Sequence, residues 1–239
     1  MDFEIAIPSK GRAHIMTSHK VFTGATIYVP ESELASYSHI ESRIVGVPSG
    51  VRGITQTRNW ILKRTKRDVF FIDDDLQYGG YVERDETSYK VRRITDQDVY
   101  IEEIRKLFEV CYQMESKICG FFTVGNNLTT YSWNPFLFNG VCLGSCMGIV
   151  NDGEYYFDES YEVKEDYELT LRHLKEKGLT VRSNILFLQH EHTHTAGGCR
   201  DSKRIAKEKD AIRRLTRSYP GMIKSAKHRG THFSIQLNV

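Results

Sequence analysis

Four apolar residues, Val69-Phe70-Phe71-Ile72, run straight into three carboxylates, Asp73-Asp74-Asp75, and that junction limits what the chain can fold into. A run with no place for a charge on either side is a strand covered on both faces, the situation of a strand inside a parallel sheet flanked by helices. Neighbouring segments agree. Phe3 to Pro8, Ala25 to Pro30, Arg43 to Pro48 and Asp68 to Ile72 read as short strands, and Ile54 to Thr65 reads as a helix turning Ile54, Trp60, Ile61 and Leu62 to a sheet. Strands alternating with helices predict an α/β chain with a mainly parallel sheet and ligands beyond the carboxyl ends of its strands.

The pattern continues. Thr95 to Lys117 predicts a helix capped by Thr95 or Asp96, with Val99, Ile104, Leu107, Phe108 and Cys111 as its apolar stripe. Gly120 to Asn139 reads as loop, and Val141 to Val150 as an apolar strand with glycines where a ligand or another backbone comes close. Tyr167 to Lys177 reads as a helix stopped by Gly178, and Val181 to Leu188 as a last strand. At 239 residues, 40% hydrophobic and 27% charged, the chain suits one large domain or one domain with a small appendage. Its first residues read as a strand and not a signal peptide, and no segment is long enough to span a bilayer. Five cysteines without a framework spacing suggest reduced thiols in a cytosolic compartment. Cys142 and Cys146, in an apolar stretch, read as buried small hydrophobes in preference to zinc ligands.

Three adjacent carboxylates repel one another, so a positive group is expected among them. A divalent Mg²⁺ or Mn²⁺ is the economical choice for oxygen ligands, against a plain solvated acidic turn. On an extended chain Asp73 and Asp75 share a side while Asp74 turns elsewhere. Ser9, Lys10, Gly11 and Arg12 follow the first strand with amides, a glycine and two cations, suited to a phosphate or an ordinary basic turn. Arg58 lies early in its helix, where the dipole disfavours a cation unless it faces a diphosphate or a structural salt bridge. Glu165 and Asp166 precede a helix, where they cap it or act as a general base, Asp166 ahead of Glu165. His190, His192 and His194 share a face if extended, and a zinc site is the rival reading there. Ala196-Gly197-Gly198 permits close approach to a ligand, or is a plain loop. The net charge of +2 hides a basic segment from Arg200 to Arg229, which suits a polyanion or a solvated face.

The apolar strand ending in Asp73-Asp74-Asp75 resembles the DxD motif of GT-A glycosyltransferases, in which a divalent metal bridges carboxylates to the diphosphate of a nucleotide sugar. Ile5-Ala6-Ile7-Pro8-Ser9-Lys10-Gly11-Arg12 looks like the first strand and nucleotide loop of that fold, which implies donor contacts from Pro8, Ser9, Lys10 and Arg12. Gly53 to Asn59 looks like the loop and helix start beside the nucleoside and diphosphate, implying Gly53 and Arg58. Glu165-Asp166 is similar to the motif that supplies the base in inverting members. The resemblance further implies Asp73 and Asp75 as metal ligands with a late histidine, His192 being taken ahead of His190 and His194, and Asp73, Asp74, Gly197 and Gly198 on the donor.

Together with Thr170-Leu171-Arg172 and Ala196-Gly197-Gly198-Cys199, these segments look most like the TET/JBP-associated glycosyltransferases, largely phage enzymes acting on hydroxymethylated pyrimidines in DNA. The resemblance covers about Phe3 to Arg204. It implies a GT-A-type sheet over residues 1–204, a basic helical arm over 205–239 packed on it, and Mn²⁺- or Mg²⁺-dependent transfer, with inversion, from a UDP-sugar to DNA. For a phage protein the location would be the host cytoplasm. DNA contacts are expected from Arg204, Arg213, Arg214 and Arg217, while Tyr131, Trp133 and Phe136 either stack on an extruded base or belong to the core. Two rivals stand beside this reading: the same enzyme with a glycan, lipid or protein acceptor, and a non-catalytic nucleic-acid-binding module.

Overall fold

The computed structural model describes residues 2–84, 89–123, 133–190, 204–229 and 232–238. Its strands are β1 (Phe3–Pro8), β2 (Thr26–Pro30), β3 (Arg43–Val47), β4 (Asp68–Ile72), β5 (Leu76–Arg84), β6 (Tyr89–Ile94), β7 (Ile118–Thr123), β8 (Phe136–Leu137), β9 (Cys146–Ile149), β10 (Val181–His190), β11 (Ile223–Arg229) and β12 (His232–Leu237). Its helices are α1 (Ser18–Val21), α2 (Gly53–Arg64), α3 (Gln97–Gln113), α4 (Glu165–Lys177) and α5 (Arg204–Ser218), with a 3-10 helix over Glu31–Tyr37.

β4 shows why the chain folds in layers. All of its residues are buried, and they alternate: Phe70 and Ile72 join the core beneath α3, with Ile104, Leu107 and Phe108, while Val69 and Phe71 join the opposite core with Ile61 and Leu62 of α2 and Leu169 of α4. The sheet runs β3-β2-β1-β4-β9-β7-β10-β5-β6, with β8 alongside β10. It is parallel from β3 to β4 and again between β7 and β10, and antiparallel elsewhere, so the expected parallel character holds for one half and the other half is mixed. The hairpin of β5 and β6 supplies the far edge. Its Gly79-Gly80 pair obscures the strand pattern yet is sterically required, because a Cβ on Gly79 would strike the Tyr100 ring and one on Gly80 the Arg92 carbonyl.

Several boundaries moved. β7 occupies part of the expected loop after Gly120, where a glycine is needed because a Cβ would meet the Cys146 carbonyl at 2.8 Å. α3 starts after Asp96, whose side chain caps it by accepting from the Asp98 amide at 2.9 Å. α4 begins two residues early, so Glu165 and Asp166 lie inside its first turn. The C-terminal segment is not wholly helical. α5 gives way at Tyr219-Pro220-Gly221, with Gly221 at φ +81°, and the chain closes as the antiparallel β11–β12 hairpin. Ala211, Leu215, Tyr219 and Ile235 of this segment pack on Tyr161 and Leu171. Among the described residues no helix is long and apolar enough to cross a membrane.

One buried group links the fold to pH. His173 of α4 has no exposed surface and accepts a hydrogen bond at Nε2 from the Lys117 amide at 3.0 Å. Burial pulls its pKa down to about 4. The unfolded chain therefore binds the proton more tightly, and the stability this histidine supports above its ordinary value of 6.5 is lost as pH falls toward 4. Keeping this imidazole neutral is worth up to ~3 kcal/mol. His173→Gln should show a smaller loss of urea midpoint between pH 7.5 and 4.5 than wild type, and an unchanged loss would refute the assignment.

Candidate active site

β2 and β3 extend the sheet to one side of β1 while β4 lies on the other, so the winding reverses between β1 and β4 and leaves a crevice at their carboxyl ends. Both polar clusters identified in the sequence meet there. The aspartate run is held by its backbone: Asp73 N–H donates to the Ser145 carbonyl at 3.1 Å, Thr17 N–H to the Asp74 carbonyl at 3.0 Å, and Ser18 Oγ to the Asp73 carbonyl at 2.5 Å. The chain turns at Asp74 and Asp75, so strand alternation does not carry past Ile72. Arg12 instead faces both Asp74, at 2.7 Å, and Asp75, at 3.6 Å. Burial raises the proton affinity of Asp74, against the pull of the Ser9 hydroxyl, which donates at 2.6 Å, and of Arg12. Asp75 lies 3.2 Å from His190 Nδ1.

The loop after β1 is ordered by partners that the sequence did not announce. Tyr37 Oη lies 2.8 Å from Ser9 Oγ and accepts from the Arg12 amide at 3.2 Å, while the Gly11 amide, at φ +67°, donates to Glu33 at 2.6 Å. Pro8 is buried as the last residue of β1, and Lys10 is exposed.

The second half of the site hangs on Arg58, only 3% of whose side chain is exposed. Its guanidinium carbon lies 5.8 Å from the Phe71 ring centre and 5.5 Å from that of Phe157, and it donates to Glu165 Oε1 at 2.7 Å, the Gly144 carbonyl at 2.8 Å and Asp73 Oδ1 at 3.2 Å. Of the two anions weighed for this helix-start cation, the structure supplies carboxylates. Glu165 is buried, and desolvation followed by the neighbouring Asp166 charge raises its proton affinity against the pull of Arg58. Asp166 is half-buried and accepts from the Gly144 amide at 3.0 Å and the Tyr167 amide at 2.9 Å. Gly144 therefore connects the two ends of the crevice: its carbonyl takes Arg58 and its amide gives to Asp166. A Cβ there would collide with the guanidinium. The glycine-bearing apolar stretch was the visible signal, but its partner is a protein side chain.

Other expected residues are more scattered. Gly53 opens α2 at φ +77° and is exposed. Trp133 is exposed, and Phe136 stacks on Phe138 with ring centres 6.3 Å apart. Cys142 and Cys146 are free and wholly buried, as the hydrophobe reading expected. On α5, Arg204 donates to Glu208, Arg213 pairs with Asp210, Arg214 donates to Ser160 and lies 3.9 Å over the Tyr161 ring, and Arg217 is exposed. Tyr131, His192, His194, Gly197 and Gly198 lie outside the described residues. The donor chemistry at the crevice suits a hard divalent ion, since Asp73 and Asp75 offer carboxylate oxygens and the Asp73 side chain is 36% exposed. Among the described residues no three His, Cys, Asp or Glu are placed to hold an ion.

A sequence model of the family described as TET-associated glycosyltransferase matches residues 3–198. No curated protein matches the chain in sequence. Among solved structures the fold is similar to that of S. aureus TarS 1–349 in complex with UDP, with a TM-score of 0.50 at 10% identity over 79% of this chain. The matched region spans 60% of the TarS chain, and a likeness at this identity speaks for the fold alone.

Proposed function

The chain belongs to the TET-associated glycosyltransferase family, and from that premise we propose that it moves a hexose or related sugar, with inversion, from a UDP-sugar to the hydroxymethyl group of a modified pyrimidine in DNA. The observation that carries the reading is the meeting of Asp73–Asp75 with Glu165–Asp166, through Arg58 and Gly144, at the reversal point of the sheet. We take residues 1–204 as the catalytic unit and 205–239 as an extension packed on it.

In this reading Asp73 and Asp75, with His192, would hold a Mn²⁺ or Mg²⁺ ion, which when bound offsets the charge gathering on the departing diphosphate. Asp166 accepts the acceptor hydroxyl proton as that oxygen bonds to the anomeric carbon and the bond from this carbon to the diphosphate breaks, UDP leaving with the electron pair. Arg58 bridges Glu165 and Asp73 and offsets their mutual repulsion, and the Gly144 amide fixes the carboxylate of Asp166. Ser9, Lys10 and Arg12 border the donor at the end of β1, with Gly53, Gly197 and Gly198 allowing its close approach.

UDP and Mn²⁺ together should raise the melting temperature by about 5–10 °C at a hundredfold excess over Kd, and neither alone should do so. Asp73→Ala should remove the metal dependence. An equal shift from UDP in the presence of a chelator would count against the metal. Transfer to hydroxymethylated but not unmodified DNA tests the acceptor, and transfer only to a glycan, lipid or protein would replace it.

The DNA interface has its own test. Arg214 is engaged with Ser160 and Tyr161, so Arg213→Gln with Arg217→Gln probes the surface without disturbing that packing. For every phosphate that an arginine no longer neutralises, the plot of log affinity against log salt should become shallower by roughly one unit. Equal slopes for variant and wild type would return both arginines to a solvated face.

A further inference from the structure

Asp166 is aimed by the start of α4, and that start has an uncommon backbone. Lys164, the N-cap, sits at φ 63° and ψ 22°, the left-handed region that lysine seldom enters. Its carbonyl accepts from the Glu168 amide at 3.0 Å, so this residue sets the direction in which the first turn leaves. The Lys164 side chain is drawn out of solvent, with Nζ 3.7 Å from Glu208 Oε2 and 5.2 Å from the Tyr167 ring centre. Glu208 belongs to α5, has no exposed surface and also accepts from Arg204 Nε at 3.1 Å. A second contact from the same segment reaches α4 where Tyr219 Oη donates to Glu168 Oε1 at 2.8 Å. An appendage that only presented cations to a polyanion would have no use for a buried carboxylate, whose desolvation is offset only by what it pairs with.

We propose that Glu208 is a positioning residue: through its ion pair with Lys164, α5 holds the left-handed start of α4 and so points Asp166 into the crevice. The inference rests on Asp166 being the base, and it makes the C-terminal segment part of the machinery of transfer as well as a surface for the acceptor. Glu208→Gln keeps the shape and removes the charge. It should lower kcat about tenfold at unchanged donor KM, a loss in keeping with a misaimed group, and speed amide exchange over Tyr167–Leu169.

Glycine enters the left-handed region without a tether. Adding Lys164→Gly to Glu208→Gln should therefore bring kcat back to within about threefold of wild type and slow the exchange again. A contribution to global stability alone would make kcat follow the urea midpoint in both variants with no separate change in exchange over Tyr167–Leu169, and that result overturns the proposal. So does a Glu208→Gln protein with wild-type kcat and exchange. If Glu208→Gln does not fold, Glu208→Asp, which keeps the charge but shortens the arm, carries the same comparison. Should the wild-type protein transfer no sugar, the reading of Asp166 fails, while the exchange measurements still decide whether Glu208 holds the start of α4.

Discussion

Asp166→Asn is expected to lower kcat by about 10²–10⁴-fold, the range lost when a general base is removed, while binding of UDP with Mn²⁺ is unchanged. The geometry makes this substitution selective. Both oxygens of Asp166 take backbone amides, Gly144 at 3.0 Å and Tyr167 at 2.9 Å, and asparagine keeps one acceptor of the two. The cost in stability should be about 1–3 kcal/mol, that of one amide left without its acceptor, and a urea midpoint measured beside kcat separates lost turnover from unfolding. Single-turnover transfer and calorimetric binding of UDP with Mn²⁺ separate the outcomes. A kcat within fivefold of wild type would remove Asp166 from the role of base, and an equal loss of donor affinity would move it to the donor site.

Arg58→Met should destabilise the protein by up to ~3–5 kcal/mol at alkaline pH, the usual cost of removing one partner of a buried charge pair. The guanidinium is 3% exposed, and its loss leaves Glu165 buried without a cation and the Gly144 carbonyl without its donor. The pH dependence gives a second mark. Burial and Asp166 already raise the proton affinity of Glu165 against Arg58, and without the arginine it must rise further. A carboxyl raised on folding holds its proton more tightly in the folded chain, so its penalty is absent below the unfolded value of 4.5 and grows as pH rises through the folded one. The deficit of Arg58→Met in urea unfolding should therefore be larger at pH 8.5 than at pH 5, and Glu165→Gln in the same chain should recover most of it. A deficit that is independent of pH, or that Glu165→Gln leaves in place, would show that Arg58 acts through packing against Phe71 and Phe157 and not through charge.

Much of this site is legible in the sequence alone. The run from Val69 to Asp75 states its own burial and its own polarity, and Ile5 to Arg12 does the same at shorter range, because a strand's period and the cost of burying charge are local properties. Helix ends were legible where a residue carries the signal alone, as Gly178 does at φ +79°. Gly120 misled for the opposite reason. It reads as the start of a loop in sequence, yet it is a strand residue whose missing Cβ makes room for the Cys146 carbonyl from elsewhere in the fold.

What only the tertiary structure decided is which charges meet. Composition supplied three carboxylates in need of a positive group, and the fold brought Arg12 to Asp74 and Asp75 and Arg58 to Asp73 and Glu165. It also set Lys164 of α4 against Glu208 of α5, two residues with nothing in their local sequence to pair them. The alternation of buried and polar residues is fixed by neighbours along the chain, whereas an ion pair depends on distances of a few ångström between segments far apart in sequence, which exist only once the sheet has reversed its winding between β1 and β4.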